Sequence, residues 1–324
     1  MTTTPKRKVQ ASKQRPQPAA TSAWALRYEP APGVGYTTEL VGSEQRPATM
    51  AVTGLAVMML GLYFISPAIS SAVNWAGWLV RGQPGSFADF SAVADAFGHP
   101  EGVLGSFLGI ASFIVMAMLS MRFIHRQSPR WLTSVQPGMR WRYLLVVGVV
   151  AAVVFNISYW ATSGRTDFHW APMPHAWLYV LIIVVAGPLQ AAGEEYFFRG
   201  YMQQLIGAVI AQRWIVVLVS AFLFTAVHGT QNMPLLLDRF VFGVLLGALV
   251  VMTGGLEATI AMHAANNIFA FGYPALSSTL MDARAISSVT WGMAGVNILA
   301  YVVIAVLAYL IGRAMRVAIT TPVA

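Results

Sequence analysis

Two adjacent glutamates, Glu194 and Glu195, close an apolar run that extends from Trp177 to Ala192. An ionisable side chain at bilayer depth costs at least about 2.5–3.5 kcal/mol on insertion scales, so a pair of them needs a function or a partner. On a helix, Glu195 and Arg199 stand four residues apart and share a face, which lets them pair. Glu194 is rotated about 100° from its neighbour and lacks that partner. A buried ion pair that only fixes helix packing accounts for Glu195 and Arg199 and leaves Glu194 unexplained.

Two histidines join the glutamates in apolar surroundings. His228 closes the stretch from Leu218 to Val227, and His263 sits between Thr259 and Asn267. A lone intramembrane histidine is more often a packing residue; two beside an unpaired carboxylate point to a site. Asn267 lies four residues after His263 and shares its helical face, and Phe224 lies four before His228. Asn266 is a third of a turn away and reads as a helix contact. His99, His125, His169 and His175 fall in loops or at interfaces and read as solvated polar groups.

These residue types define a chemistry. A carboxylate beside a histidine can take a proton from water, and an amide or imidazole can stabilise an oxyanion. That is the equipment for hydrolysing an acyl bond without a serine or cysteine nucleophile. The same set, Glu194, His228 and His263, consists of zinc-ligand types, although the His-Glu-x-x-His signature is absent.

The elements that must position these groups are membrane helices. Of 324 residues, 57% are hydrophobic and only 10% charged, the balance of a polytopic membrane protein. The chain has no cysteine, which excludes disulfide and thiolate chemistry. A net charge of +8 could suggest nucleic acid, but the basic residues cluster at loop ends beside apolar spans, as membrane topology requires. Nine of the ten tryptophans fall near span ends, as an aromatic belt does.

Residues 1–46 read as a disordered basic tail in the cytoplasm, able to touch anionic headgroups. Some thirty polar residues precede the first apolar run, so the tail is not a secretory signal. About eight spans follow, near 50–72, 102–124, 142–162, 177–208, 212–228, 236–254, 256–271 and 290–312. Gly254-Gly255 makes 236–271 a tight helical hairpin, and Gly243 and Gly247 allow close helix approach. Fifteen Lys and Arg on one side against four on the other place both termini in the cytoplasm. No internal repeat supports a proton-coupled transporter.

Three strings in order carry a resemblance: Glu194-Glu195-x-x-x-Arg199, Phe224-x-x-x-His228 and His263-x-x-x-Asn267. They resemble the motifs of the CPBP family of intramembrane proteases, the type II CAAX prenyl endopeptidases and bacteriocin-processing or immunity proteins, across roughly residues 177–272. The resemblance implies that Glu194 activates water with help from His228, that His263 and Asn267 form an oxyanion site, and that Glu195 with Arg199 holds Glu194 in place. It leaves two mechanisms open: a metal site of Glu194, His228 and His263, with zinc as the cofactor, or a metal-free glutamate protease.

The expectation is therefore an all-α transmembrane bundle: a tail at 1–46, N-terminal helices at 47–172, a protease core at 173–275 and a last helix with a short tail at 276–324. Its expected partners are the lipid bilayer and a peptide or protein substrate, with no nucleic acid. The alternative is a non-catalytic scaffold or immunity-type protein. One geometric conflict stands: counted from the cytoplasmic ends, His228 lies about 24 Å deep and His263 about 10 Å. A helix tilted or broken at Gly187-Pro188 would relieve it.

Overall fold

The computed structural model describes residues 29–40, 47–161, 168–210 and 212–323. Apolar runs with few breakers fold into ten helices: α1 (Ala48–Val80), α2 (Phe87–Asp95), α3 (Pro100–Phe123), α4 (Trp141–Ala161), α5 (Ala176–Val209), α6 (Arg213–Ala226), α7 (Met233–Thr253), α8 (Glu257–Leu276), α9 (Leu280–Arg284) and α10 (Trp291–Ala314). Ser86, Gln212, Asn232 and Thr290 cap helices by accepting backbone N–H bonds in the first turn. Gly254 ends α7 at φ +68°, a left-handed conformation that favours glycine, and so turns the chain directly into α8.

Among the described residues, six helices, α1, α3, α4, α5, α7 and α10, are long and apolar enough to cross a membrane. The chain is a multi-pass membrane protein. Large side chains such as Phe64, Val115, Val149 and Leu181 are exposed along these helices, where lipid rather than water is their solvent. The expectation of about eight spans is corrected at two places. The stretch 212–228 forms α6, only 14 residues and about 21 Å long, short of a hydrocarbon core of about 30 Å. The stretch 256–271 becomes α8, which has the length but carries Glu257, His263, Asn266 and Asn267 and is largely buried by its neighbours.

The tail expectation is corrected for residues 29–40. Thr321 and Val34 exchange bonds at 2.9 and 3.0 Å, Tyr36 donates to the Leu132 carbonyl, and Gln204 donates to Glu39 at 3.0 Å. Tyr36 and Leu40 are buried, so apolar burial ties this segment to the bundle end despite its Pro and Gly content. Residues 1–28 and 41–46, the rest of that expected tail, lie outside the described residues.

α5 is the axis of the molecule. It runs 34 residues, and its register widens to a π-helix over Tyr196–Met202 just after the paired glutamates. Pro188 stays inside the helix, so the irregularity falls past the glutamates and not at Gly187-Pro188. Gly193 makes the site possible: a Cβ there would stand 2.3 Å from the Ile110 carbonyl, so only glycine lets α3 cross α5 this closely.

Candidate active site

The lengths of α5 and α6 set Glu194 and His228 at one level. α6 folds back along the end of α5, with Phe198 and Phe224 in edge contact at 5.4 Å and Ser220 donating to the Phe198 carbonyl at 2.8 Å. Glu194 lies fifteen residues before the end of α5 and His228 fifteen after the start of α6, so both stand about 22 Å from the turn between them. Because α6 stops there, it covers α5 only to the level of the glutamates. The Glu194 side chain keeps 15% exposure while Glu195 has none.

α8 supplies the opposite wall. His263 Nδ1 meets Glu195 Oε1 at 2.7 Å, and its Nε2 lies 3.7 Å from Glu194 Oε2. Glu195 Oε1 also accepts from Arg199 Nη1 at 3.2 Å, so the expected i,i+4 pair forms. The Arg199 guanidinium lies 4.1 Å from the centre of the Phe224 ring, and the buried cation rests against that aromatic face. Phe242, from α7, sets its edge against His263 with ring centres 5.3 Å apart.

The remaining contacts run through a residue that sequence reasoning missed. Gln190 Nε2 donates to Glu194 Oε1 at 2.6 Å, and Gln190 Oε1 accepts from Asn267 Nδ2 at 2.7 Å. Asn267 therefore joins Glu194 indirectly. The signal was present: Gln190 precedes Glu194 by four residues, the same spacing that identified Arg199. Asn266 contacts its neighbour, donating to Asn267 Oδ1 at 3.1 Å.

His228 stands further out. Its Nδ1 is bound to the Phe224 carbonyl at 2.7 Å, and its ring packs on the Phe224 side chain at 4.6 Å. No hydrogen bond among the described residues joins it to Glu194 or His263, although Glu194 acts on it electrostatically. Burial pushes its imidazole below the ordinary value, which favours the neutral, proton-accepting form. Arg239, half-buried on α7 and three residues before Phe242, also acts on both Glu194 and His228. Of the four histidines read as solvated, His125 departs from that reading: it is buried, and its Nε2 meets Tyr201 Oη at 2.7 Å.

The donor chemistry of Glu194, His228 and His263 suits zinc, and each histidine has its Nδ1 tied to an oxygen as a metal-binding histidine does. The distances do not suit it. Among the described residues, no three His, Asp or Glu side chains gather closely enough to hold an ion. As arranged, the residues do not fit a metal.

The model of the Rce1-like type II CAAX prenyl endopeptidase family matches residues 174–269, which include all of these groups. An uncharacterized protein of Bacillus subtilis (strain 168), YyaK, is 26% identical over 165 residues, 47% of this chain and 54% of that protein. The chain thus spans about half the length of this curated relative. No solved structure matches the chain. With the paired glutamates, the arginine, both histidines and Asn267 all inside the matched segment, the chain carries an Rce1-like type II CAAX prenyl endopeptidase (CPBP) family domain.

Proposed function

We propose that the chain is an intramembrane endopeptidase that hydrolyses a peptide bond of a membrane-associated, CAAX-like substrate, with Glu194 as the general base. The observation that supports this reading is the division of labour between adjacent carboxylates. Glu195 is fully buried and held by Arg199 and His263, while Glu194 keeps an exposed edge that turns Oε2 toward His263 Nε2. A base must reach water, and of the two carboxylates Glu194 is the one with exposure.

In this mechanism Glu194 takes a proton from a water molecule as the water oxygen attacks the peptide carbonyl carbon. His228 lies alongside as a neutral acceptor. The carbonyl π electrons move to oxygen, and the oxyanion is held by Asn267 and His263. The intermediate collapses with cleavage of the C–N bond, and the proton on Glu194 passes to the leaving nitrogen. Glu195, Arg199 and the Phe224 ring hold His263 in place throughout.

The molecule's two ends support a proposed orientation. Residues 29–40, the 124–140 loop, the α5–α6 turn, Gly254-Gly255 and the C-terminal residues gather at one end, through bonds such as Val135 to Gly254 and Arg140 to Ala318. Among the described residues, that end carries most of the arginines, and it is assigned to the cytoplasm.

The test is Glu194→Gln, which preserves shape and removes the base. Substrates trapped by this variant in native membranes, identified by mass spectrometry, should be cleaved by the purified wild-type protein and spared by the variant. Activity should survive a strong chelator. Cleavage by Glu194→Gln at the wild-type rate would refute the hydrolase reading.

A further inference from the structure

We infer that Gln190 is a positioning residue that holds the general base on α5 and the oxyanion donor on α8 in one register; this rests on the endopeptidase reading above. The geometry is a chain of three amides ending on a carboxylate. Asn266 donates to Asn267 (3.1 Å), Asn267 donates to Gln190 (2.7 Å), and Gln190 donates to Glu194 (2.6 Å).

The direction of the chain follows from what each group can do. An ionised carboxylate only accepts, so the Gln190 nitrogen must face Glu194 and its oxygen must face away. That oxygen in turn requires the Asn267 nitrogen, and the Asn267 oxygen is left to Asn266. The orientation of the Asn267 amide is thus dictated by Glu194, 73 residues earlier in the chain, through one buried side chain.

Two consequences bear on the reaction. Gln190 occupies Oε1 of Glu194, which assigns proton transfer to Oε2, the oxygen facing His263 Nε2. Asn267 commits one of its two N–H groups to Gln190, and the other remains for a substrate carbonyl oxygen. Rotation of either group would misplace base and donor together. A misplacement of 1 Å can cost about 10²-fold in rate.

The experiment uses the purified full chain in liposomes with a peptide that the wild type cleaves and Glu194→Gln spares. Gln190→Met keeps the length of the arm and loses both amide atoms; Gln190→Asn keeps the amide and shortens the arm. Both should lower kcat by about 10²-fold, with KM within about twofold of wild type, since no contact to the substrate is removed. Combining Gln190→Met with Asn267→Ala should cost much less than the product of the two losses, because both variants disturb the same donor. A wild-type kcat in Gln190→Met, full additivity with Asn267→Ala, or failure of both Gln190 variants to fold would each overturn the assignment. Wild type that cleaves no trapped peptide would instead strike at the endopeptidase reading.

Discussion

Two buried arginine–carboxylate pairs flank α8, and they are built to opposite specifications. At its first turn, Glu257 takes Arg140 in a two-pronged grip, with Nε to Oε1 at 2.9 Å and Nη2 to Oε2 at 2.6 Å. The Arg140 backbone N–H adds a third bond to Glu257, and its Nη1 donates to the carbonyls of Thr253 and Ala318. Glu257 also sits where the helix dipole favours an anion. Further along α8, against His263, the Glu195–Arg199 pair of α5 is fully buried, where Arg140 keeps 12% exposure, but rests on one contact of 3.2 Å. Among the described residues, Glu195 Oε2 and Arg199 Nε and Nη2 have no hydrogen-bond partner. The first pair uses four of the five guanidinium N–H groups and pins the starts of α4 and α8 to the C-terminal segment. The second shares its carboxylate with His263 and so has a function besides cohesion. Saturation marks an anchor; incomplete saturation beside a histidine marks a site.

The comparison breaks most easily at the anchor. Glu257→Gln leaves a buried guanidinium without its counter-ion and should cost about 3–5 kcal/mol of stability. Thermal unfolding in detergent should show this as the largest loss among single carboxylate variants, with turnover per folded molecule close to wild type. A folded Glu257→Gln protein with abolished turnover would place Glu257 in the chemistry and erase the distinction.

Glu195→Gln comes next. It removes the charge that faces Arg199 and His263, two charge-assisted bonds of which neither is part of a saturated network. A loss of about 3 kcal/mol is expected, the lower end of the range for a buried pair broken from one side, because Arg199 keeps its contact with the Phe224 ring. Turnover should also fall, because His263 loses its anchor. Glu194→Gln should be milder than Glu195→Gln in stability, since Glu194 is partly exposed and has no guanidinium partner among the described residues. Equal and unchanged melting temperatures for both would show that the Glu195–Arg199 pairing carries no weight.

How far the sequence revealed this arrangement depends on range. Contacts between residues four apart were legible: Glu195 with Arg199 and Phe224 with His228 follow from that spacing, and both form. The all-helical class followed from apolar runs. Arg140 and Glu257 are 117 residues apart, and no local spacing signals their meeting. The length of α6 was hidden because its apolar run continues to Val227, whereas the helix ends at Ala226 and begins at Arg213. Of the two contacts of Gln190, the one to Glu194 was signalled by four-residue spacing, and only the tertiary placement of Asn267 opposite reveals the other. Residues 29–40 carry Pro, Gly and Glu like a tail, and only the tertiary burial of Tyr36 and Leu40 identifies them as part of the fold.

A third buried carboxylate supplies the weakest and cleanest test. Glu39 lies outside the spanning helices and accepts from Gln204 Nε2 at 3.0 Å; among the described residues it meets no guanidinium. Burial pushes its carboxyl well above the usual carboxylate range. The sign follows from linkage. A carboxyl whose folded-state pKa exceeds its unfolded value of about 4.3 favours the fold fully below that value, and the contribution is lost as pH rises through the folded-state pKa. Glu39→Gln removes this titration and still offers Gln204 an acceptor. At pH 5 its melting temperature should lie near that of wild type; at pH 8 the variant should be the more stable of the two. The same titrations elsewhere occur in both proteins and cancel in the comparison. If the difference in melting temperature between the two proteins is the same at pH 5 and pH 8, Glu39 is charged and accommodated in the fold, and buried carboxylates here do not need an arginine.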